Sequence, residues 1–224
     1  MPGSGHWMWA AARVPSPPSW VRRLGTGAVT AADPSRSFTA AVAARLPGVD
    51  VQQAAAERLP FGDWAFDVTL AQLVVHFMAD PVAGLAEMGR VTRPGGVVAA
   101  CVWDHAGGGA PLAPFWRAVR ELDPAAADES MLAGSRAGQL AELCGQAGLG
   151  SAAMASISVT VTHATFGDWW EPFTLGVGPA GVYVASLVAD RREQLRGRCC
   201  ELLGPGPFRI RAAAWAVTCQ PGPA

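Results

Sequence analysis

Residues 66–103 read FDVTLAQLVVHFMADPVAGLAEMGRVTRPGGVVAACVW, and the spacing of their apolar side chains decides the fold class. Phe66 to Gln72 is a run of strand length, apolar enough for burial on both faces, as parallel strands are. Asp80-Pro81 opens a helix, with a capping carboxylate followed by a proline at a position where its missing N–H costs nothing. Val82, Leu85, Met88 and Val91 mark the buried side of that helix. Pro94-Gly95-Gly96 breaks it and delivers Val97 to Trp103, a second strand. Strand, crossover helix, strand is the unit of an open, mostly parallel sheet.

The pattern continues in both directions. Upstream, Ala28 to Ala32 reads as a strand that stops at Asp33-Pro34-Ser35. A helix with Phe38, Val42 and Leu46 at four-residue spacing follows, closed by Pro47-Gly48, and Val49 to Gln53 is a further strand. Downstream, Pro111 to Leu122 and Ser135 to Ala147 read as helices, the second with Leu140, Leu143, Cys144 and Ala147 on one face. Ser156 to Thr162 alternates in period two, and Arg209 to Thr218 forms a final strand. No internal repeat interrupts this, and it describes one domain.

Composition excludes several classes. The chain has 224 residues, 50% of them apolar, and 17 basic against 18 acidic side chains for a net charge of -1. This is the profile of a folded domain rather than a disordered or collagenous chain. It leaves no basic footprint for nucleic acid. No run approaches the ~18 apolar residues of a membrane span. Cys101, Cys144, Cys199, Cys200 and Cys219 form no CxxC pair and have no histidine at ligand spacing, so a zinc site is not expected and reduced thiols of a cytoplasmic protein are. Pro15, Pro17 and Pro18 interrupt any signal-peptide core. Lysine and asparagine are absent, a bias that looks like GC-rich coding.

Three segments carry a family resemblance. Glu57-Arg58-Leu59-Pro60-Phe61 followed by Phe66-Asp67-Val68, then Gln72 to Pro81 and Glu87 to Gly96, resemble in order the elements around the fourth strand of class I methyltransferases dependent on S-adenosylmethionine. The small-molecule branch related to ubiquinone and menaquinone methyltransferases is the one they resemble most. The resemblance runs over about residues 21–219. It implies an α/β, Rossmann-like open sheet, mostly parallel, with helices on both faces and an antiparallel C-terminal strand. It further implies methyl transfer from S-adenosylmethionine to a small-molecule acceptor in residues 21–224, with residues 1–20 an atypical N-terminal segment.

In such a sheet ligands bind beyond the carboxyl ends of the strands, where the strand order reverses. The resemblance then places Asp33 against the ribose hydroxyls of the cofactor; the same residue could also, or instead, cap the following helix. The acidic position that usually meets the adenine amino group falls at Ala55, which leaves backbone at Ala56 and Glu57 to hold the adenine. Gln72 faces the cofactor, or else satisfies loose backbone at the strand end. His76 is the candidate general base, against the alternative of a packed core histidine. Trp103, Asp104 and His105 border the acceptor pocket, with Gly107-Gly108-Gly109 behind them as a mobile loop. Trp116, Trp169 and Trp170, with Phe115 and Phe173, either roof a flat acceptor or pack a core.

One element of the family pattern is missing. The first strand and glycine loop, of the form LDVGCGPG, do not occur, and His6-Trp7-Met8-Trp9-Ala10 and a proline-rich tract stand in their place. Tryptophan and methionine have one codon each, so His6 to Ala10 is encoded CAY TGG ATG TGG GCN. Read one base earlier, that stretch gives YTG GAT GTG GGC, which translates as LDVG without any choice of codon. Residues of about 6 to 20 are thus expected to be an out-of-frame translation of the cofactor loop, with the frame restored near Val21. The first strand is missing or replaced, with Trp7 to Val14 available to fill its slot. Two functional readings follow: a methyltransferase, or a non-catalytic, degenerate chain of the same fold that no longer binds cofactor. A nicotinamide-dependent dehydrogenase would need G-x-G-x-x-G after the first strand, and none is present.

Overall fold

A computed structural model of the protein describes residues 7–10 and 19–221, with side chains from Val21 onward. Seven strands form one sheet: β1 (Trp7–Ala10), β2 (Val29–Asp33), β3 (Asp50–Gln53), β4 (Phe66–Gln72), β5 (Thr92–Trp103), β6 (Ala153–His163) and β7 (Phe208–Cys219). Their order is β3-β2-β1-β4-β5-β7-β6. The first five are parallel, and β7 runs antiparallel to both β5 and β6. Trp7–Ala10 therefore occupies the central slot as a four-residue strand, and of the two expectations for the first strand the one realised is replacement. The proposed continuation to Val14 lies outside the described residues.

Eight α-helices accompany the strands among the described residues: α1 (Ser19–Leu24), α2 (Arg36–Arg45), α3 (Pro81–Val91), α4 (Ala113–Leu122), α5 (Gln139–Gln146), α6 (Phe166–Trp170), α7 (Gly178–Ser186) and α8 (Ala189–Leu203). None of the described helices is long and apolar enough to cross a membrane. α3 begins as its sequence predicts, with the Asp80 carboxylate accepting from the N–H groups of Val82 and Ala83 and Pro81 in the first turn. Leu85, Met88 and Val91 of α3 are fully buried with Val98, Ala100 and Val102 of β5 and with Leu140 and Cys144 of α5. The opposite face of the sheet packs Val29 and Ala31 against Val42 and Leu46. Helices thus cover both faces.

Several boundaries differ from those the periodicity predicts. In α2 the buried side carries Thr39 and Val42, whereas Phe38 is exposed. The Thr39 hydroxyl donates to the Arg36 carbonyl, so this polar side chain can be buried without an unmet hydrogen bond. α5 starts at Gln139 rather than Ser135, because Ser135 is held in a turn by its hydroxyl donating to the Ser130 carbonyl. α7 and α8 had no counterpart in the sequence reading. The strand after α3 begins at Thr92, not Val97: Pro94-Gly95-Gly96 does not precede β5 but bulges within it. Phe66 pairs with Thr92 and Val68 with Val97, so residues 93–96 bow out of the ladder, where Pro94 has no N–H to lose.

At the other end of the sheet β6 is an edge strand of eleven residues, exposed along nearly all its length. Its pairing with β7 is unbroken from Ala153 to His163, and it contains no Asp, Glu, Lys, Arg or proline. Ile157, Val159 and Val161 stand in a row on one face, each about half exposed.

Candidate functional site

The strand order reverses at β1, whose neighbours β2 and β4 leave the sheet in opposite directions, and a crevice opens beyond the carboxyl ends at such a point. Ala10 is in register with both Ala32 and Ala71. One residue further, Asp33 and Gln72 therefore stand at the same level on either side of the end of β1, about 10 Å apart by two strand spacings. Gln53 pairs with Asp33 and Cys101 with Gln72, which extends the row across β3 and β5.

Asp33 is 8% exposed. Its Oδ1 accepts from the Ser35 N–H at 2.7 Å. The helix cap itself is Ser35, whose hydroxyl accepts from the Phe38 N–H, so the alternative that Asp33 caps α2 is set aside. Burial raises the pKa of the Asp33 carboxyl, and the Ser35 N–H offsets only part of that rise. A buried carboxylate with one donor among the described residues is suited to accept from two further hydroxyls.

After β3 the chain turns through Ala55, which is exposed, to Ala56 and Glu57, which are half-buried. The Glu57 Oε1 accepts from the Asp80 N–H at 3.2 Å and ties this turn to the start of α3. α3 comes so near that a Cβ on Gly84 would stand 3.4 Å from that of Ala56. The same turn is fixed below by Arg90, which donates to Glu87 and Asp63 and to the Phe61 and Leu59 carbonyls. The backbone at Ala56 and Glu57 is thereby held in place after β3 while the Glu57 side chain is engaged with the start of α3.

Gln72 is exposed at the end of β4. Immediately after it Leu73 has φ +60°, the left-handed region that non-glycine residues rarely adopt, and its N–H donates to the Cys101 carbonyl. This turn sends the chain into the 3₁₀ segment Val75–Phe77. His76 within it is 9% exposed and its Nδ1 has no hydrogen-bond partner among the described residues. Burial, reinforced by His105 alongside, pushes the His76 imidazole down to about 4. The two rings meet edge to face at 5.5 Å.

His105 follows β5 and is buried in its side chain. Its Nδ1 lies 3.8 Å from Oε2 of Glu129, and the same Oε2 accepts from the Trp116 indole N–H at 2.6 Å. Burial lowers the His105 pKa, with Glu129, Asp104 and Asp128 opposing it. Glu129 is 5% exposed and was not singled out in the sequence. It sits in a 3₁₀ turn, Glu129–Met131, which carries no periodic signal. Trp116 and Glu129 wall a cavity of about 380 Å³ that Tyr183 and Val182 of α7 also border.

One expectation here is corrected and one open alternative is decided. The glycines 107–109 do not form a loose loop: Asp104 accepts from the Gly107 N–H and the Trp215 indole, and the Gly109 backbone is paired with Ala213 and Asp104. Trp169, Trp170, Phe115 and Phe173 do not roof a pocket but form a buried cluster with Leu195 and Ile210 under α4, α6 and α8. Among the described residues no group of His, Cys, Asp and Glu could hold a metal ion.

Residues 16–100 match the family described as a methyltransferase domain. Over 86 residues the chain is 45% identical to a demethylmenaquinone methyltransferase of Mycolicibacterium vanbaalenii, covering 37% of this chain and 36% of that one. Over 81 residues it is 40% identical to the ubiquinone/menaquinone biosynthesis C-methyltransferase UbiE of Bdellovibrio bacteriovorus, covering 34% of each. The aligned part thus spans about a third of the length of these relatives. In fold, the YcgJ protein of Bacillus subtilis superposes with a TM-score of 0.59 at 15% identity, covering 99% of this chain and 94% of that one. The [4+2]-cyclase SpnF superposes at 0.53 and 16% identity, covering 99% and 77%. Over residues 16–100, then, the chain is similar to a methyltransferase domain, and as a whole it shares the fold of these solved structures.

Proposed function

We propose that this protein is built to transfer a methyl group from S-adenosylmethionine to a small-molecule acceptor, with the cofactor in the crevice beyond β1 and the acceptor beside His76. The observation that carries this reading is the placement of Asp33, buried and with one hydrogen-bond donor among the described residues, level with Gln72 across the end of the central strand. The described residues fit the cofactor: Asp33 offers a ribose-binding carboxylate, Ala56 and Glu57 offer backbone along the adenine, and Gln72 offers an amide at the opposite wall. When bound, S-adenosylmethionine supplies an electrophilic methyl on a sulfonium centre. The protein's part is to hold the acceptor in line and keep water away, which is where most of the acceleration of such a transfer comes from. His76 is neutral at physiological pH and its Nδ1 has no partner among the described residues, so it is the candidate to accept a hydrogen bond from the acceptor. The relatives named for demethylmenaquinone and ubiquinone or menaquinone biosynthesis suggest a quinone-like acceptor for this chain. Such work belongs in the cytoplasm, with no nucleic-acid or membrane partner.

A second reading is favoured by one observation. The family match begins at residue 16, after β1 and after the place where a glycine loop would follow it. On that ground the chain is a fold-retaining relative that does not bind cofactor; a superposable [4+2]-cyclase illustrates that this fold does not dictate the reaction. Calorimetric titration with S-adenosylmethionine separates the two. The chain is titrated alongside a version whose first 20 residues are replaced by the frame-corrected segment containing LDVGCGPG. Micromolar binding by both supports a working cofactor site in the chain as it stands. Binding by the replaced version alone establishes the out-of-frame segment and the disabled reading, and binding by neither removes the methyltransferase reading altogether.

A further inference from the structure

From Ala155 to Thr162 the edge strand β6 alternates in kind. Ala155, Ile157, Val159 and Val161 stand on one face, and Ser156, Ser158, Thr160 and Thr162 on the other. Such alternation marks a strand with one face buried. The ladder to β7 shows which face that is: Ile157, Val159 and Val161 lie opposite Ala214, Ala212 and Ile210, all three buried, and Ile210 belongs to the aromatic cluster under α4, α6 and α8. The apolar row of β6 is thus the core's own surface carried one strand further. Yet Ile157, Val159 and Val161 are 49%, 52% and 48% exposed, and the outer backbone groups of the strand meet no further strand among the described residues.

We infer that the occupant of this edge is a second copy of the chain, paired antiparallel through β6 about a two-fold axis at Val159, so that two seven-stranded sheets become one. A two-fold interface needs a patch that matches itself when reversed, and β6 is such a patch. With the axis at Val159, that residue meets its own copy and Ile157 meets the partner's Val161, while Ser158 meets the partner's Thr160 and Ser156 the partner's Thr162. Apolar then stands on apolar and hydroxyl on hydroxyl along the whole overlap. An axis at Ser158 keeps the faces together but sets Val161 against the partner's Ala155, which fills less of the row. Charge does not oppose the pairing: residues 153–163 include no Asp, Glu, Lys or Arg, and the charged side chains of β7, Arg209 and Arg211, lie a strand back opposite Thr162 and Thr160, so neither meets its copy. The size is sufficient as well. Residues 155–163 give a ladder of about 30 Å with on the order of ten hydrogen bonds, the number that a stable interface typically carries. Each copy presents one β6, so the assembly closes at two, and a copy that dissociates carries the bare edge into solution.

The experiment is sedimentation equilibrium on the full chain over a range of concentrations, with no ligand added. The chain is expected to reach the mass of two copies and no more, and to divide on dilution. Because residue 159 faces its own copy, Val159→Lys and Val159→Glu are each expected to sediment as single chains with the circular dichroism of the parent, and an equimolar mixture of the two to regain the dimer. Val182→Lys, at a position 60% exposed on α7, is expected to leave the dimer as it is. If a charge at residue 159 disturbs the fold, the register is read one pair further out: Ile157→Glu with Val161→Lys in one chain keeps the dimer, and Ile157→Lys with Val161→Lys loses it. A parent chain that stays single at every concentration overturns the inference and leaves the edge to an extended segment of another protein. A dimer that survives Val159→Lys, a mixture that stays single, loss of the dimer in Val182→Lys, or growth beyond two copies overturns it equally. The outcome is independent of the methyl-transfer reading, since β4, β5 and β7 lie between β6 and the crevice at β1.

Discussion

His76 enters the fold neutral, and that has a measurable consequence for stability. Its imidazole titrates near 6.5 in the unfolded chain and at about 4 in the fold, with His105 shifted in the same direction. Above pH 6.5 neither state of His76 is protonated and the fold keeps its full stability. As pH falls below 6.5 the unfolded chain takes up a proton that the fold refuses, so stability drops until about pH 4. The shift of His76 amounts to about 3 kcal/mol across that interval. Urea melts of His76→Gln are expected to show a flatter pH dependence between 4 and 6.5 than the parent chain. Of the candidate site residues, the positions of Asp33, Gln72 and His76 at or just after strand ends were legible, because each ends or follows an apolar run. Glu129 was not legible: it lies in a single 3₁₀ turn, and its burial follows from an indole thirteen residues away in α4.

At the scale of elements, the glycines of the strand after α3 behave differently from the way a breaker motif suggests. A Cβ on Gly96 would stand 2.6 Å from the Asp67 carbonyl and 2.8 Å from that of Arg93, both backbone atoms that cannot swing away. Gly96→Ala is expected to cost about 2 kcal/mol or more, since overpacking against backbone shifts the bulge itself. Gly145→Ala, in α5 with nothing within 4 Å of the added carbon, is expected to have the opposite sign, a gain of up to about 1 kcal/mol. Paired thermal melts of the two variants check both. The core elements were legible where period and punctuation agree, as in α3, whose cap, proline and buried Leu85, Met88 and Val91 stand where the sequence puts them, with Val82 half-buried. They were misread where tertiary contacts overrule punctuation, as in β5. α7 and α8 escaped because their apolar residues face an aromatic cluster gathered from four separate stretches of chain, which no local period reveals.

At the scale of the molecule, the central position of β1 ties the sheet together. Among the described strands it is the one paired with both β2 and β4, so its four residues carry the ladder from one half of the sheet to the other. β6 closes the far side with a different property. Eleven residues of regular, uncharged, unpaired edge have backbone N–H and C=O groups pointing outward with neither a lysine nor a proline to discourage pairing. Handling limits are therefore set at this rim rather than by the strength of the core: loss of protein on concentration is expected to precede any loss of structure on heating. Val159→Lys, at a half-exposed position in mid-strand, is expected to raise the concentration at which the protein stays clear while shifting unfolding free energy by no more than about 0.5 kcal/mol. Light scattering against concentration, beside a thermal melt, reads the two quantities apart. An unguarded rim also gives a practical order to the work: the charge at residue 159 goes in first, and every titration of the crevice is then made on a chain that remains in solution.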